Sequence, residues 1–192
     1  HLIRIDLDIE GNQIVVRDER IVFDEETGSE ALEQREVMRY RYAIAGPEQD
    51  DNGQPTNNHL IRQSSMEAGA RWVLNDVSGQ PIRAWDSRGH TVRTEYDALR
   101  RPLRIFVTGA NPELPVEEVL TERLVYGEAH AEAQDRNLRG QLHLHLDQAG
   151  AATTEAFDFN SNPLHTNRRL AADYKKAVDW NGVDRDALDD LK

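Results

Sequence analysis

The chain has 192 residues, of which 38% are hydrophobic and 30% are charged, and it contains no cysteine. Its formal net charge of −12, with no cluster of Lys and Arg, argues against binding to nucleic acid or to an anionic membrane surface. Disulfide bonds and thiolate metal sites are excluded. No apolar run has the length of a transmembrane helix, and no signal-peptide pattern opens the chain. The sparse apolar content favours thin layers over a thick, dry core.

The first 75 residues contain four stretches with the composition of β-strands: residues 1–7, 37–44, 60–64 and 70–74. Residues 19–36 are acidic, and we predict that they are irregular. Residues 46–58 are rich in Pro, Gly, Asp and Asn, which predicts a long loop. Because the first residues already alternate as a strand does, we expect the chain to be a fragment of a longer protein.

An internal repeat begins at residue 76, and each copy consists of three turns that follow one another closely. The first copy has its turns at Asp76 to Gly79, at Asp86 to Gly89 and at Tyr96-Asp97. The second copy lies 61 residues later, with turns at Asn137 to Gly140, at Asp147 to Gly150 and at Phe157-Asp158. The two triplets cover about residues 74–108 and 135–170, and a weaker relative stands at Asp8-Ile9-Glu10-Gly11.

The turn residues determine how the strands between them are arranged. Asp or Asn at the first turn position accepts hydrogen bonds from the backbone two residues further on, and Gly at the fourth position tolerates a positive φ. About six residues remain between turns, which is one strand and too short for a crossover helix. We therefore predict an all-β fold whose antiparallel strands form a curved sheet, with minor helical pieces.

The alignment of the two copies favours a single sheet over a sandwich. In this alignment, Leu142, Leu144 and Leu146 occupy the positions equivalent to Pro81, Arg83 and Trp85. The apolar face therefore differs between the copies, and a dry two-sheet core would not tolerate this because alternation fixes which face is buried. A sheet that is wetted on both faces would tolerate it.

The remaining segments are predicted to hold one strand and a few short helical pieces. Residues 121–126 form the strand, and the helical pieces lie at residues 112–120, 128–135 and 183–191. No linker divides the chain convincingly. We predict a single β-repeat region over residues 1–192, in which residues 181–192 form a short C-terminal helix or tail.

Two groups of polar side chains could carry chemistry. His143, His145 and Asp147 share one face of a predicted strand and could bind zinc. Alternatively they line a wetted face, which the lack of both histidines in the first copy favours. A glycosidase-like carboxylate pair could be drawn from Asp86, Asp97, Asp147 and Asp158. Each of these occupies a turn position that favours Asp on conformational grounds, so we assign no catalytic residue, metal ligand or cofactor.

Several aromatic side chains could form a surface that stacks on carbohydrate or holds a peptide: Trp72, Trp85, Trp180, Tyr96 and Phe157. The alternative is that they are cross-strand packing partners, which is their commoner role in sheets. Tyr96 and Phe157 occupy equivalent positions in the two copies, and packing is favoured for them.

The repeat resembles the YD repeat of the Rhs family, in which a Tyr-Asp pair precedes two residues, Gly, Arg or Asn, and an apolar residue. Tyr96-Asp97 through Leu103 and Phe157-Asp158 through Leu164 match this pattern, with Arg100 and Ser161 in place of Gly. A more specific order is Leu124-Val125-Tyr126-Gly127-Glu128, Arg136-Asn137-Leu138-Arg139-Gly140, Asp147-Gln148-Ala149-Gly150, Asp173-Tyr174-Lys175 and Asp179-Trp180. Over about residues 60–181, this order is similar to the Rhs-repeat end of the B component of insecticidal Tc toxin complexes, related to SpvB/TcB proteins.

The resemblance implies a structural role in a secreted bacterial toxin complex. In that family the repeats of the B and C components form a hollow β-shell around the toxic C-terminal polypeptide of the C component. The A component docks through other regions of the B component. No residue matches the family's aspartyl autoprotease, so a non-enzymatic segment is implied, without nucleic-acid or membrane contact of its own. The alternative hypothesis is a secreted or cell-surface β-repeat module that binds carbohydrate or protein.

Overall fold

A computed structural model describes residues 2–24, 28–43, 59–109, 117–171 and 175–182. The chain divides into two compact units, residues 1–89 (unit 1) and residues 90–192 (unit 2). The described residues are almost entirely strands and turns, with one short 3-10 helix at Gly127–Ala129. The predicted all-β, antiparallel fold is confirmed.

Unit 1 contains six strands, each paired antiparallel with the next in the chain. They are β1 Leu2–Leu7, β2 Gln13–Asp24, β3 Ser29–Tyr42, β4 Leu60–Ser65, β5 Gly69–Asn75 and β6 Pro81–Asp86. Unit 2 repeats this sequential arrangement with six further strands. They are β7 Thr91–Tyr96, β8 Pro102–Thr108, β9 Val119–Tyr126, β10 Leu142–Asp147, β11 Gly150–Phe157 and β12 Pro163–Leu170.

The prediction of an irregular segment at residues 19–36 is wrong. Residues 19–24 lie within β2 and residues 29–36 within β3, the two longest strands that the structure describes, and residues 25–27 lie outside the described residues. The charges alternate so that opposite or polar partners meet across the pair. Arg20 lies opposite Glu33, with the guanidinium 2.6 Å from the carboxylate, and Glu19 accepts a hydrogen bond from Gln34 at 2.7 Å. Cross-strand pairs of this kind stabilise a sheet that has little apolar surface to bury.

The predicted short helix at residues 128–135 is also wrong. Only Gly127–Ala129 is helical, and turns follow from His130 to Asn137. The segment lacks an apolar stripe at helical spacing, and its buried side chains are the small Ala133 and the larger Leu138. Of the predicted helical turn at 112–120, residues 119–120 belong to β9, and residues 112–116 lie outside the described residues. The predicted loop at 46–58 and helix at 183–191 also lie outside them.

The apolar core of unit 2 covers one face of its sheet. It consists of Phe106, Leu120, Leu144, Leu146, Ala151 and Trp180. In β10 the buried residues are Leu144 and Leu146, whereas in β6 the better-covered residues are Ile82 and Ala84. The face that is covered therefore differs between the two repeat copies. No helix in the described ranges is long and apolar enough to cross a membrane.

Candidate functional site

Four hairpins close with the same Asp-capped turn, which begins at Asp8, Asp76, Asp97 or Asp158. In each, one carboxylate oxygen accepts the backbone N–H groups two and four residues further on, at 2.8–3.0 Å. The carbonyl of the Asp accepts the N–H of the fourth turn residue, at 3.0–3.2 Å. This is the geometry of a type I turn followed by a left-handed residue. Each carboxylate is therefore a built-in part of its turn.

The fourth residue of these turns has a positive φ. It is 85° at Gly11 and 80° at Gly79, but the same conformation occurs at Arg100 (63°) and Ser161 (65°). Arg100 and Ser161 are the two positions where the repeat departs from the Gly of the family pattern. The departures change the side chain and leave the turn geometry in place, at the conformational cost of a non-glycine residue in this region.

Hydrogen bonding lowers the pKa of three of these turn carboxylates, those of Asp8, Asp97 and Asp158. The Asn162 amide, followed by backbone N–H groups, lowers the pKa of Asp158, and the Asn12 amide does the same for Asp8. At Asp97, desolvation opposes the shift, but the backbone N–H and guanidinium of Arg101 lower the pKa overall. Each carboxylate is thus stabilised in the charged form that its turn uses.

The turns at Asp86 and Asp147 are tighter. Asp86 accepts the Arg88 N–H on its side chain at 2.9 Å and the Gly89 N–H on its carbonyl at 3.3 Å. Asp147 accepts the Ala149 N–H at 2.8 Å and pairs with Gly150 across the hairpin. Its carboxylate also binds the Arg168 guanidinium, at 2.6 and 2.7 Å.

The turn predicted at Asn137 to Gly140 is displaced by one residue. Its closing hydrogen bond runs from the Gln141 N–H to the Leu138 carbonyl at 3.0 Å, and Asn137 does not cap it. Asn137 instead adopts a φ of 53° and donates from its side chain to the Phe157 carbonyl at 3.0 Å. The displacement follows from Leu138, whose side chain is fully buried.

Residues 127–141 form an excursion between β9 and β10 that joins the neighbouring turns. At one end, Glu128 accepts hydrogen bonds from Arg101 at 2.6 Å and from the Gly140 N–H at 3.2 Å. The Arg101 guanidinium also binds Asp97 at 2.7 Å and lies 3.8 Å above the Tyr126 ring. The excursion is thereby tied to the turn that begins at Asp97.

The other end of the excursion is tied to the turn that begins at Asp158. The Phe157 N–H donates to the Arg136 carbonyl at 3.0 Å, and the Gln141 side chain donates to Ser161 Oγ at 3.0 Å. At its start, the backbone of Gly127 passes so close to Leu138 that a Cβ would lie 2.4 Å from the Leu138 Cβ. Only glycine fits at that position without a shift of the backbone.

A C-terminal strap, residues 178–182, crosses the start of β9 and the β10/β11 turn. The buried Trp180 donates its ring N–H to the Asp147 carbonyl at 3.1 Å and its backbone N–H to the Leu120 carbonyl at 3.0 Å. Asp179 accepts the Leu120 N–H at 3.0 Å, and Gln148 bonds both the N–H and the carbonyl of Val178 at 2.9 Å. The strap fixes Trp180 over the core of unit 2.

The three residues considered for zinc bind separate partners. His143 Nδ1 lies 2.9 Å from the Thr154 carbonyl, His145 Nε2 lies 3.1 Å from Glu122, and Asp147 is engaged as described above. Among the residues that the structure describes, no group of three His, Cys, Asp or Glu side chains could hold a metal ion.

The aromatic residues do not form one exposed surface. Trp180 and Phe157 are buried, and Tyr96 is half-buried. Trp72 and Trp85 are partly exposed and lie directly opposite each other on β5 and β6, with Arg62 above the Trp72 ring at 5.4 Å. This is the arrangement of a cross-strand packing pair.

Comparison with curated proteins finds similar toxin subunits. The chain is 29% identical over 150 residues to toxin subunit YenC2 of Yersinia entomophaga, which is 70% of this chain and 15% of that protein. Toxin subunit YenC1 of the same organism is 25% identical over 108 residues, or 56% of the chain and 11% of the relative. These similarities support a Tc toxin Rhs-repeat region. It spans less than a sixth of the length of these relatives, and no family model matches it.

Solved structures of Tc toxin proteins have the same fold as this chain. The match to a crystal structure of TcdB2-TccC3-TEV covers 96% of this chain and 9% of the chain in the solved structure, with a TM-score of 0.63 at 22% identity. The match to the structure of a Photorhabdus luminescens Tc holotoxin pore covers 94% of this chain and 9% of the chain in the solved structure, with a TM-score of 0.64 at 21% identity. At this identity the likeness concerns the fold.

Sequence reasoning gave no role to the side chains that tie the turns together. Arg101, Glu128 and Gln141 link neighbouring turns, and Asp179 holds the strap. The motifs Tyr126-Gly127-Glu128 and Asp179-Trp180 did point to these side chains, because residues of both motifs make contacts across strands. Their partners are distant in sequence, so the motifs alone did not reveal the contacts.

Proposed function

We propose that this chain is a structural segment of the shell wall of a Tc toxin complex, which encloses the toxic C-terminal polypeptide of the complex. The observation that carries the proposal is the sequential pairing of the strands, closed by Asp-capped turns, in each unit. Such a sheet extends strand after strand and leaves most side chains partly exposed, as a thin wall does. The candidate carboxylates are occupied by turn N–H groups, which supports a non-enzymatic role.

The parent subunit is proposed to be a B component. The curated relatives are named YenC1 and YenC2, and the similar solved structures join TcdB2 to TccC3. The repeat fold is therefore common to several named subunits. In the B-component assignment, the partners are the C component and its enclosed polypeptide, with the A component contacted by other regions of the parent protein.

The proposed location is extracellular, as part of a secreted bacterial toxin complex. We propose that this segment itself contacts neither nucleic acid nor membrane, which agrees with the net charge of −12. A cofactor is not part of the proposed role.

Protease protection tests the encapsulating role. The full-length subunit is assembled with its C component, and cleavage of the toxic polypeptide by a non-specific protease is followed by mass spectrometry. We expect protection in the wild-type complex and faster cleavage when the wall is loosened by Trp180→Ala. The exposed substitution Arg88→Ala is the matched control and should leave protection intact. A toxic polypeptide that is cleaved in the wild-type complex as fast as in its free form would contradict the proposal.

A further inference from the structure

The C-terminal strap ends in a further Asp-x-x-Gly turn, Asp179-Trp180-Asn181-Gly182. It begins as the Asp-capped turns of the hairpins do, because Asp179 Oδ1 accepts the N–H of Asn181, two residues further on, at 2.9 Å. Gly182 has a φ of 84°, which matches the fourth position of those turns. The strap therefore contains the same kind of turn outside the sheet.

This turn differs from the hairpin turns at its last residue. In the four Asp-capped hairpins, the N–H of the fourth residue donates to the carbonyl of the Asp at 3.0–3.2 Å. In the described part of the chain, neither the Gly182 N–H nor the Asn181 side-chain amide has a hydrogen-bond partner. Both residues are exposed, and a Cβ on Gly182 would meet nothing within 4 Å. The Asn181 amide and the backbone nitrogen that follows it are therefore free to react with each other.

An asparagine in this situation can lose its side-chain amide without an enzyme. The backbone nitrogen of Gly182, after its proton has passed to water, attacks Cγ of Asn181. The new C–N bond replaces the bond from Cγ to Nδ2, and ammonia leaves with a proton taken from water, so that a five-membered imide ring remains. Glycine favours this attack, because it has no side chain that hinders the approach of its nitrogen.

A second water molecule then opens the imide ring at one of its two carbonyl carbons. Opening at the former side-chain carbonyl gives Asp and restores the main chain. Opening at the main-chain carbonyl gives isoaspartate, in which the main chain continues through the former side-chain carbon. Both products carry a new carboxylate at position 181.

Asn160 shows the same position in a closed turn. It is the third residue of the turn that begins at Asp158, as Asn181 is the third residue of its own turn. The residue that follows, Ser161, donates its N–H to the Asp158 carbonyl at 3.1 Å. That nitrogen can attack only after the turn has opened locally. The closed turn therefore protects Asn160, and the open turn leaves Asn181 unprotected.

We propose that Asn181 is a site of spontaneous deamidation, which the fold leaves accessible because the turn at Asp179 is not closed at its fourth residue. The product places a carboxylate two residues from Asp179, and isoaspartate also adds one carbon to the main chain at the end of the strap. The strap of the protein is thereby modified gradually, and water is the only co-reactant. The proposal does not depend on the proposed wall function.

Incubation of the full-length subunit at mildly alkaline pH tests this site, because the backbone nitrogen then loses its proton more readily. Peptide mapping by mass spectrometry follows the conversion at each asparagine, with a fragmentation method that separates isoaspartate from Asp. We expect the native rate at Asn181 to be less than about tenfold below its rate in guanidinium chloride, because no local opening is required. A native rate that is lower by a larger factor would overturn the proposal. Asn181→Gln is the blank of the assay.

Ser161→Gly is the matched variant, because it places an Asn-Gly sequence in a closed turn. Asn160 then has the same neighbour as Asn181, but the N–H of residue 161 still donates to the Asp158 carbonyl. In the native variant we expect Asn160 to convert about tenfold or more slowly than Asn181, and in guanidinium chloride the two rates should be equal. Equal rates in the native variant would show that the open turn is not the cause, and the proposal would fail. Neither result affects the protease-protection test of the wall function.

Discussion

Unit 1 and unit 2 have the same sequence of antiparallel strands but differ in how they are stabilised. In the described residues, nine of the ten buried hydrophobic side chains belong to unit 2, and only Val15 belongs to unit 1. Unit 1 relies on cross-strand pairs such as Arg20 with Glu33 and Trp72 with Trp85. Unit 2 adds the 127–141 excursion and the C-terminal strap. The strands of unit 2 therefore supply most of its buried side chains, and the segments outside the strands add Ala133, Leu138 and Trp180.

Removal of the Trp180 side chain should abolish most of the extra stabilisation that unit 2 gains from its buried core. Trp180→Ala leaves a cavity among Phe106, Leu120 and Leu146 and removes the hydrogen bond from the ring N–H to the Asp147 carbonyl. We expect a loss of about 3–5 kcal/mol in the free energy of unfolding of unit 2, measured by urea denaturation. Trp85→Ala is the matched control in unit 1. Because Trp85 is partly exposed, its loss should be about 1 kcal/mol, and equal losses for the two variants would contradict the comparison.

The excursion can be disrupted through a single methyl group. In Gly127→Ala the added Cβ would lie 2.4 Å from the Leu138 Cβ and 2.5 Å from its carbonyl oxygen. We expect a loss of about 2–3 kcal/mol, because the backbone must shift to relieve the overlap. Gly140→Ala is the control that introduces backbone strain without a steric overlap. Its φ is 78°, and the added Cβ would meet nothing within 4 Å. That variant should lose only about 1 kcal/mol, and a larger loss than for Gly127→Ala would contradict the steric explanation.

Acid should weaken the turns of both units. Hydrogen bonds lower the folded-state pKa of Asp8 and Asp158. A depressed carboxyl pKa contributes stability that is present above the unfolded value, about 3.9, and is lost as the pH falls through the folded value. The urea midpoint should therefore fall between pH 5 and pH 3, estimated from the same unfolded pKa. Asp158→Asn keeps a capping oxygen without the charge, and its midpoint should depend less on pH than that of the wild type. If the urea midpoint of Asp158→Asn depends on pH as strongly as that of the wild type, the charge of Asp158 does not contribute to the acid sensitivity.

The smallest expected effect is a gain in stability at the turns that lack glycine. Arg100→Gly should raise the free energy of unfolding by about 0.5–1 kcal/mol, because the positive φ no longer strains a Cβ. Ser161→Gly should gain less, since it also loses the hydrogen bond from Gln141. Ser78→Gly, at the third turn position, is the control and should lose stability. A loss in Arg100→Gly would show that its side chain contributes more than its backbone costs.

Local patterns in the sequence predict the hairpins well. Strict alternation at Leu142 to Leu146 predicts β10, and the Asp-x-x-Gly spacing predicts where the chain reverses. Both signals act within a few residues, so one sequence contains them completely. The error at residues 19–36 has a physical reason. Charged residues in a sheet wetted on both faces can pair across strands, and they then resemble an irregular acidic segment.

The ties between turns could not be predicted in the same way. Glu128 with Arg101, and Asp179 with the Leu120 N–H, join positions 27 and 59 residues apart. Leu138 is one apolar residue in a polar segment, and nothing local distinguishes it from the exposed Leu99. The distinction arises only when the excursion folds back on Gly127. The family resemblance identified the motifs but did not supply these contacts.

The strap also determines the order in which unit 2 can assemble. Every hairpin of the unit joins neighbouring strands, so its contacts are local and form rapidly. Trp180 closes a loop of about sixty residues onto Leu120, which carries a greater entropic cost and requires strands that are already paired. During synthesis on a ribosome, the β7 to β10 hairpins can therefore form while residue 180 is still inside the exit tunnel. The docking of Trp180 is then the last step, and until it occurs the nascent sheet exposes its apolar face to chaperones.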